Sequence, residues 1–546
     1  MKFLRKILPW TIGVLAATVL FAALMAVCSL RYENSDDMLF VKGFMGFEGG
    51  EPVSFTLYTH TFLAWILYAL SKTLTLVPWF SVFQVGLLWL SAAVIVKCLI
   101  QLGRGKGAVG GAVFLGVFAA FACARLSYTT TAAMAGAASA VQLMTLSQKK
   151  KNAGGLLLAV LLLMCAYSLR QMTVLPLLAY CLLVLCYEGA KRLSADRSLR
   201  PVITAAAVLL GVLAVFAGVR EIEITARGQR ETLNWQKSRI ELFDYTSFEN
   251  NIEPALGADS GLTDKQVALV QQWHFWDTDL DAEAFQTMTK AYAAEEKDGV
   301  FPKLGDFLST SPRYVCAIAL FLLLAAWIFL CDEKPRWASL AAVLALLGGL
   351  VMIVYLCWRG RVLFRGLDTV FFPCAAVLLG LAVQCRSNGR KAAAIALCIA
   401  MLFTVGADAY LTLDVLREKP DWTSQQREAE LEAFALKNPD KLIVRTPNLL
   451  RDTRLFPDVS SGLPVNTAIW GDWYCRMPGW RQQVKKYGLD PDGVSLADWT
   501  NEAMMFAADA SGVPQVLLDG VSEAVGHAVT AEVFGTEGTL TFYQLR

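Results

Sequence analysis

Two adjacent carboxylates stand out just after the first long apolar run of the sequence. Asp36 and Asp37 follow Asn34 and Ser35, a few residues beyond Leu30. Carboxylates at a membrane surface are costly unless they are hydrated, paired or bound to a cation. One interpretation is a helix cap, because Asn and Ser are good N-cap residues and acids favour a helix N-terminus. The other is catalytic, because neighbouring carboxylates raise each other's pKa and one of them can then accept a proton near neutral pH.

Arginine is the second residue type whose placement could do chemistry. Arg359, Arg361 and Arg365 fall within one short loop, and Arg170 interrupts an otherwise apolar stretch from 156 to 187. Arginine binds phosphate bidentately, so the phosphate of a lipid-linked donor is the predicted partner of these four residues. For the loop the alternative is binding to ordinary anionic headgroups, and for Arg170 it is snorkelling at a turn between two spans.

Aromatic side chains alternate with acids in a polar segment after residue 220. Trp273, His274 and Trp276 stand beside Asp277 and Asp279. Rings stack on sugar faces and carboxylates accept from hydroxyls, so the three aromatic residues are predicted to contact an acceptor sugar. An interfacial aromatic belt is an equally good interpretation. A similar cluster at 470–480 is assigned to the core of a soluble domain.

The composition predicts a polytopic membrane protein. Of 546 residues, 55% are hydrophobic and 18% are charged, whereas soluble domains carry about a quarter charged residues. The net charge of +2 gives no sign of nucleic-acid binding. Most of the 13 cysteines lie in apolar runs, without a disulfide framework or a C-x-x-C pattern. The sequence also has no G-x-x-x-x-G-K-S/T loop, no H-E-x-x-H and no G-x-S-x-G, which argues against a nucleotide-driven pump, a zinc enzyme and an α/β-hydrolase.

Eleven apolar runs are long enough to cross a membrane. They lie near 7–30, 79–97, 107–124, 128–147, 153–169, 172–187, 201–220, 313–331, 338–357, 362–384 and 392–412. Segment 55–77 is also apolar, but if it spanned, the basic tract Lys149–Lys151 would face outward, against the positive-inside rule. It is therefore predicted to re-enter or to lie along the outer interface as an amphipathic helix, with the N-terminus cytoplasmic and the C-terminus outside.

Three segments then face outward from a transmembrane domain over 1–412. They are a first loop over 31–78, a large loop over 221–312, and a C-terminal domain over 413–546 with the composition of a soluble protein. Within that domain helices are predicted at 423–437, 480–488 and 496–508, and strands at 442–444, 515–518, 528–534 and 539–543. Alternating helices and strands indicate a small α/β fold.

This order of features resembles the GT-C superfamily of integral-membrane glycosyltransferases. The resemblance depends on Asp36-Asp37, on the stretch from Pro52 through Tyr58-Thr59-His60 to Leu63, and on the basic loop Arg359–Arg365. It implies inverting transfer of a hexose or related sugar from a polyprenyl-phosphate carrier to a cell-envelope glycan or lipid acceptor on the outer face. It also implies that an acid after the first span acts as base or metal ligand, so Asp36 and Asp37 are the predicted catalytic pair and His60 a predicted acceptor contact.

The resemblance leaves the metal open. Family members often place a second acid in the next outer loop, which here runs Ala124-Arg125-Leu126-Ser127-Tyr128 and has none. A divalent cation, Mg²⁺ or Mn²⁺, held by Asp36 and Asp37 is therefore an expectation of the resemblance only.

Other function classes remain open at this point. A transporter or flippase of lipid-linked saccharides is disfavoured because the sequence shows neither an internal repeat nor a midplane acid. A polysaccharide polymerase or ligase is harder to separate, although the early acidic pair favours a simpler transferase. A non-catalytic envelope assembly protein is the third alternative.

Overall fold

Helices make up most of the chain. The computed structural model describes residues 2–28, 30–47, 50–146, 152–246, 248, 262–277, 279–293, 300–331, 333–359, 362, 364–386, 391–418, 421–459, 462–471 and 474–546. The α-helices are α1 Lys2–Val27, α2 Ser35–Met45, α3 Thr61–Thr73, α4 Trp79–Gly103, α5 Gly105–Phe114, α6 Ala120–Ala124, α7 Tyr128–Met144, α8 Ala153–Leu169, α9 Val174–Leu193, α10 Arg200–Ala226, α11 Arg230–Tyr245, α12 Asp264–Gln271, α13 Ala282–Ala293, α14 Val300–Thr310, α15 Pro312–Leu330, α16 Ala338–Trp358, α17 Phe364–Ala382, α18 Lys391–Arg417, α19 Trp422–Lys437, α20 Pro478–Lys486 and α21 Gln515–Val525.

The prediction of a multi-span helical membrane protein is confirmed. In the part of the chain that the structure describes, 9 helices are long and apolar enough to cross a membrane. They match nine of the predicted runs; the other two runs correspond to α7 and α8, which have 17 residues each. Segment 55–77 contains only α3, of 13 residues, which is too short to span the hydrocarbon core.

Helix α7 lies at the centre of the membrane bundle. Every residue from Tyr128 to Met144 is buried, and most of them are Ala, Gly, Ser or Thr. Small side chains let neighbouring helices approach closely. At Gly136 an added Cβ would lie 2.5 Å from the side chain of Leu177 on α9, so a larger residue there would require that side chain to move.

The loop after α1 is tied to the loop after α6 by a short parallel ladder. Strand β1, Arg31–Tyr32, pairs with β2, Arg125–Leu126. Helix α2 follows β1 after two residues, and α7 follows β2 after one residue. The ladder therefore brings the N-terminal ends of α2 and α7 together.

The C-terminal segment contains a five-stranded mixed sheet. Its strands are β3 Leu442–Arg445, β4 Thr467–Ile469, β5 Met504–Ala508, β6 Ala531–Glu537 and β7 Leu540–Leu545. They lie in the order β4-β3-β5-β7-β6, with β4, β3 and β5 parallel and the other pairs antiparallel. Phe434 of α19 stacks on Phe542 of β7 at 3.5 Å between ring centroids.

Two local predictions in this segment are wrong. Residues 496–508, predicted as a helix, form one 3-10 turn at Leu496–Thr500 and then strand β5. Gln515 to Leu518, predicted as a strand, begins helix α21. The predicted boundary at 412 falls inside α18, which continues to Arg417.

A buried ion network attaches the C-terminal segment to α2. Lys42 contacts Glu428, lies 3.3 Å from Glu432 and 3.9 Å from Asp452, and Asp452 in turn lies 2.9 Å from Arg454. Burial lowers the pKa of Lys42, but the three carboxylates outweigh burial and raise it. The lysine is therefore charged, and losing it would leave buried carboxylates without their counter-ion.

Reporter fusions test the orientation of the loops. One additional span at 55–77 would move every later loop to the opposite side of the membrane. We expect reporters at residues 105, 150, 195 and 388 to be cytoplasmic and reporters at 260 and 480 to be external, because basic loops stay inside. The measurement is paired alkaline phosphatase and fluorescent-protein fusions. An external reporter at 150 would contradict the placement of 55–77 outside the membrane core.

Candidate active site

The acidic pair begins helix α2, as the capping interpretation predicted. The side-chain oxygen of Asn34 accepts the backbone N–H of Asp36 at 3.2 Å. Both acids lie in the first turn of the helix, where the positive end of the helix dipole favours them. The cap does not exclude chemistry, because the two side chains have different surroundings.

Asp37 points into the protein. Its side chain is 0% exposed, and Oδ1 accepts the amide of Gln84 at 3.1 Å and the backbone N–H of Tyr128 at 2.8 Å. Oδ2 has no hydrogen-bond partner in the described part of the chain. Burial raises the pKa of Asp37 to about 8, and Asp36 is the smallest contributor to this shift. The charge of Asp36 raises the pKa of Asp37 in the predicted direction, but burial of the side chain is the larger cause.

Asp36 faces the opposite way, toward Arg365. Its side chain is 30% exposed, and both terminal nitrogens of Arg365 lie 3.3 Å from Oδ2. Arg365 lies in the first turn of α17. The fold therefore brings together one predicted catalytic residue and one predicted phosphate ligand that are far apart in the sequence.

Arg170 lies against two tyrosines beside this pair. Its guanidinium is 4.6 Å from the ring centre of Tyr58 and 4.9 Å from that of Tyr128, and it donates to the hydroxyl of Tyr128. Tyr128 is also the residue whose N–H binds Asp37. One residue thus connects Arg170 to the acidic helix, which the sequence did not predict.

The other predicted phosphate ligands are less well placed. Arg359 packs on Tyr245, with its guanidinium 3.9 Å from the ring centre. Arg361 lies outside the described residues. Their role in phosphate binding stays a prediction.

Two acids near the pair were missed by the sequence analysis. Burial raises the pKa of Glu33, while the charges of Arg365, Arg125 and Arg313 lower it. Asp368, one helical turn after Arg365, accepts from the hydroxyls of Tyr314 and Thr130, each at 3.0 Å. The signal for Asp368 was an acid inside the predicted span 362–384, and Asp408 is a second acid inside a span.

The predicted acceptor contact at His60 is contradicted by its surroundings. The side chain is fully buried. Nδ1 accepts the N–H of Phe62 at 3.1 Å and caps α3, and Nε2 lies 2.9 Å from the carbonyl oxygen of Phe216. Both ring nitrogens are therefore engaged within the protein and neither is offered to a ligand.

Two of the predicted sugar contacts, His274 and Trp276, are buried in an aromatic cluster, although Trp276 also lines a cavity of about 210 Å³ with Asp277 and Arg476. His274 is fully buried, with its ring centre 5.3 Å from that of Trp470 and 5.5 Å from that of Trp499. Burial lowers its pKa to about 3. Trp276 is also buried and donates to the carbonyl of Ile469 at 3.1 Å.

Trp273 belongs to the same packing. Its ring centre lies 4.5 Å from that of Phe243 on α11. The cluster joins the segment between α10 and α15 to the C-terminal sheet, because aromatic rings from both are buried against each other.

The acidic pair does not fit a divalent cation. Asp36 is paired with Arg365, while the bonded oxygen of Asp37 already accepts two N–H groups. A cation site needs several oxygen ligands converging on one point. Throughout the described ranges, no group of three His, Cys, Asp or Glu side chains could hold a metal ion.

Comparison with known proteins gives only a distant likeness. No protein-family model and no curated protein matches the chain. Two solved structures of ArnT from Cupriavidus metallidurans, one in the apo state and one bound to undecaprenyl phosphate, overlap 98% of this chain and 97% of theirs at 12% identity and a TM-score of 0.35. A TM-score this low carries no weight for function, so function has to be inferred from the residues of this chain.

Substituting Asp37 tests the buried carboxylate through the pH dependence of stability. Between its ordinary value of 3.8 and its folded value of about 8, the folded chain holds a proton that the unfolded chain releases. The contribution of Asp37 to the free energy of unfolding therefore falls as pH rises through this window and is constant above it. Asp37→Asn keeps the accepting oxygen but cannot ionise, so its stability should fall less.

The measurement is thermal unfolding of purified wild-type and Asp37→Asn protein in one detergent across that window. Asp492→Asn, at an exposed position in the C-terminal segment, is the matched control. Identical pH slopes for wild type and Asp37→Asn would show that Asp37 titrates normally.

Proposed function

We propose that this protein is a membrane glycosyltransferase that moves a sugar from a polyprenyl-phosphate carrier to an acceptor at the outer face. The observation that carries the proposal is the pairing of Asp36 with Arg365 at the outer end of the bundle. One partner can accept a proton and the other can bind a phosphate. A transfer from a phosphate carrier to a hydroxyl needs both groups next to the same bond.

The exposure of the pair supports a reactive role. The side chains of Arg365 and Asp36 are 18% and 30% exposed, and a partly exposed ion pair contributes at most about 1 kcal/mol to stability. The guanidinium of Arg365 matches a phosphate as well as a carboxylate. A carrier phosphate can therefore take Arg365 from Asp36 and leave the carboxylate free to accept a hydrogen bond.

The proposed reaction step balances with these two side chains. The acceptor hydroxyl donates its hydrogen to Asp36, and its oxygen forms a bond to the anomeric carbon of the sugar. The bond between that carbon and the phosphate oxygen breaks, and its electron pair stays on the carrier phosphate. Arg365, with Arg170 close by, stabilises the negative charge on the leaving phosphate.

A groove on α17 supports a lipid-linked donor over a water-soluble one. Val370, Phe371 and Cys374 of α17 line an apolar cavity of about 430 Å³, whose other walls come from α14, α15 and α16. Arg365 begins the same helix. If Arg365 binds the carrier phosphate, the attached prenyl chain can lie in this apolar groove. A nucleotide would find no polar partner in the groove.

Asp37 then acts as a positioning residue. It is fully buried and cannot touch an acceptor, but it joins α2 to Gln84 of α4 and to Tyr128 of α7. These bonds fix the rotation of α2, and with it the direction in which Asp36 points.

Asp36→Asn tests the base. We expect transfer to fall by about a hundred-fold or more, because the amide keeps the shape and cannot take the proton. Affinity for the carrier phosphate should be kept or increased, since Arg365 loses its competitor. The measurements are transfer by the purified protein and direct binding of a polyprenyl-phosphate sugar, with Asp492→Asn as control. Turnover near that of wild type would remove Asp36 from the reaction.

Arg365→Ala tests the phosphate ligand. It should weaken carrier binding by about thirty-fold, or ~2 kcal/mol, the value of a charge-assisted hydrogen bond. Lys should restore it only in part, because it lacks the planar fork. Arg361→Ala is predicted to act in the same direction. The matched control is Arg481→Ala, which breaks an exposed ion pair with Asp492. Unchanged affinity in Arg365→Ala would exclude the phosphate role.

A further inference from the structure

A cavity that contains none of the candidate active-site residues lies between α11, the residues before α13 and the C-terminal segment. It has a volume of about 210 Å³. Pockets for drug-sized ligands usually have about 300–1,000 Å³, so this one has room for a single ring rather than for an extended ligand. Glu231, Asp281 and Arg476 line it, together with Arg481 and Asp492, which bind each other. We call it the α11 cavity.

The floor of the α11 cavity consists of buried aromatic side chains that the protein holds in place. Trp235, Trp276 and Trp480 line it, and no more than 3% of each is exposed. Trp235 donates to the carbonyl oxygen of Leu280 at 2.6 Å, and Trp276 donates to that of Ile469 at 3.1 Å. Trp480 packs edge-on against Trp276, with 5.5 Å between ring centres. A ligand with an apolar face can therefore bind without ordering these side chains.

Arg476 supplies hydrogen-bond donors above this floor. Its guanidinium lies 4.7 Å from the ring centre of Trp235, and Nη2 donates to the backbone carbonyl of Asp277 at 2.7 Å. Nε and Nη1 have no hydrogen-bond partner in the described part of the chain, so the guanidinium keeps N–H groups for a ligand. The backbone of Arg476 has a φ of 64°, a conformation that disfavours residues other than glycine and that concentrates at binding sites.

Two carboxylates place hydrogen-bond acceptors around the same guanidinium. Burial lowers the pKa of Arg476, while the charges of Asp281 and Glu231 raise it. Within the described ranges Glu231 makes no hydrogen bond and no ion pair, and Asp281 uses only Oδ1, which accepts the N–H of Ala284 at 2.8 Å. Acceptors and donors are therefore both available next to an apolar floor.

We propose that the α11 cavity binds one uncharged sugar ring of a glycan. A sugar hydroxyl both donates and accepts, so neighbouring hydroxyls can donate to Glu231 and Asp281 while they accept from Arg476. The C–H groups of the ring lie on the aromatic floor. An anionic ligand is disfavoured because the two carboxylates outnumber the guanidinium, and a quaternary ammonium is disfavoured because Arg476 already covers Trp235. This inference does not depend on the proposed transferase activity.

Ligand-observed saturation-transfer NMR on the full chain tests the site. The protein is reconstituted in nanodiscs, because detergents with sugar headgroups would compete for the cavity. The probes are the methyl glycosides of glucose, galactose, mannose and N-acetylglucosamine, with methyl glucuronide as their anionic counterpart.

The variants are Glu231→Gln and Asp281→Asn, both at exposed positions. Each amide keeps the shape of the side chain, and Asn at 281 can still accept the N–H of Ala284. Glu523→Gln is the matched control, because the side chain of Glu523 is 56% exposed and does not line the cavity. Thermal unfolding of every variant is measured in parallel.

We expect at least one neutral glycoside to bind wild type with a dissociation constant on the order of 1 mM, as a ligand of this size allows. Glu231→Gln and Asp281→Asn should each weaken binding by about ten-fold, because each loses a hydrogen bond to a charged group, with the unfolding midpoint unchanged. Glu523→Gln should bind as wild type does. Methyl glucuronide should bind about ten-fold more weakly than the best neutral glycoside.

The absence of saturation transfer to all four neutral glycosides would overturn the site. Binding that neither cavity variant weakens would place the sugar elsewhere and overturn it as well, and equal binding of methyl glucuronide would contradict the assigned contacts. The same titration with Asp36→Asn should match wild type. Failure of this site and failure of the proposed reaction are therefore distinguishable.

Discussion

The buried charge of Lys42 is the constraint on which the arrangement of α2 and the C-terminal segment depends. Lys42 lies near the C-terminal end of α2 and is surrounded by Glu428, Glu432 and Asp452 of the C-terminal segment. Burial raises the pKa of Glu432, whereas the pKa of Asp452 is lowered because its bonds and charge contacts with Arg454 and Lys42 outweigh burial. Removing one partner of such a buried network costs about 3–5 kcal/mol, whereas each exposed pair is worth far less. This network therefore fixes the position of α2 relative to the C-terminal segment.

Helix α2 is held at both ends, and this explains how two adjacent acids take different roles. Lys42 fixes the C-terminal half, and Asp37 fixes the first turn through Gln84 and Tyr128. Successive residues on a helix point about 100° apart, since 3.6 residues make one turn. When Asp37 faces the core, Asp36 has to face outward, where Arg365 meets it. Asp36 is thus the proposed reactive acid because Asp37 is held in the core by Gln84 and Tyr128.

Hydropathy and loop charge predict the membrane part of this fold well, because both act over many residues. The exclusion of 55–77 from the spans is an example: the charge of one distant tract, Lys149–Lys151, decided it, and α3 is short.

Local signals failed where tertiary contacts decide. The aromatic run at Trp273–Trp276 has the composition of a sugar site, yet it packs on Trp470 and Trp499, residues far away in the sequence. The strand β5 and the helix α21 were likewise misassigned because short apolar runs carry little periodicity. Arg365 was found from its charge in an outer loop, but no sequence pattern shows that Asp36 is its partner.

The Asp36–Arg365 pair also sets an order of events for the proposed reaction. In the structure both terminal nitrogens of Arg365 donate to one carboxylate oxygen of Asp36. A hydroxyl is a weak competitor for an arginine-bound carboxylate, whereas a phosphate is a strong competitor for the arginine. The carrier must therefore bind before the acceptor can be activated. Once the carrier phosphate holds Arg365, the carboxylate of Asp36 is released to accept a hydrogen bond from the acceptor hydroxyl. In this order of events, the carrier phosphate that later leaves in the reaction is also the group that first separates Arg365 from Asp36.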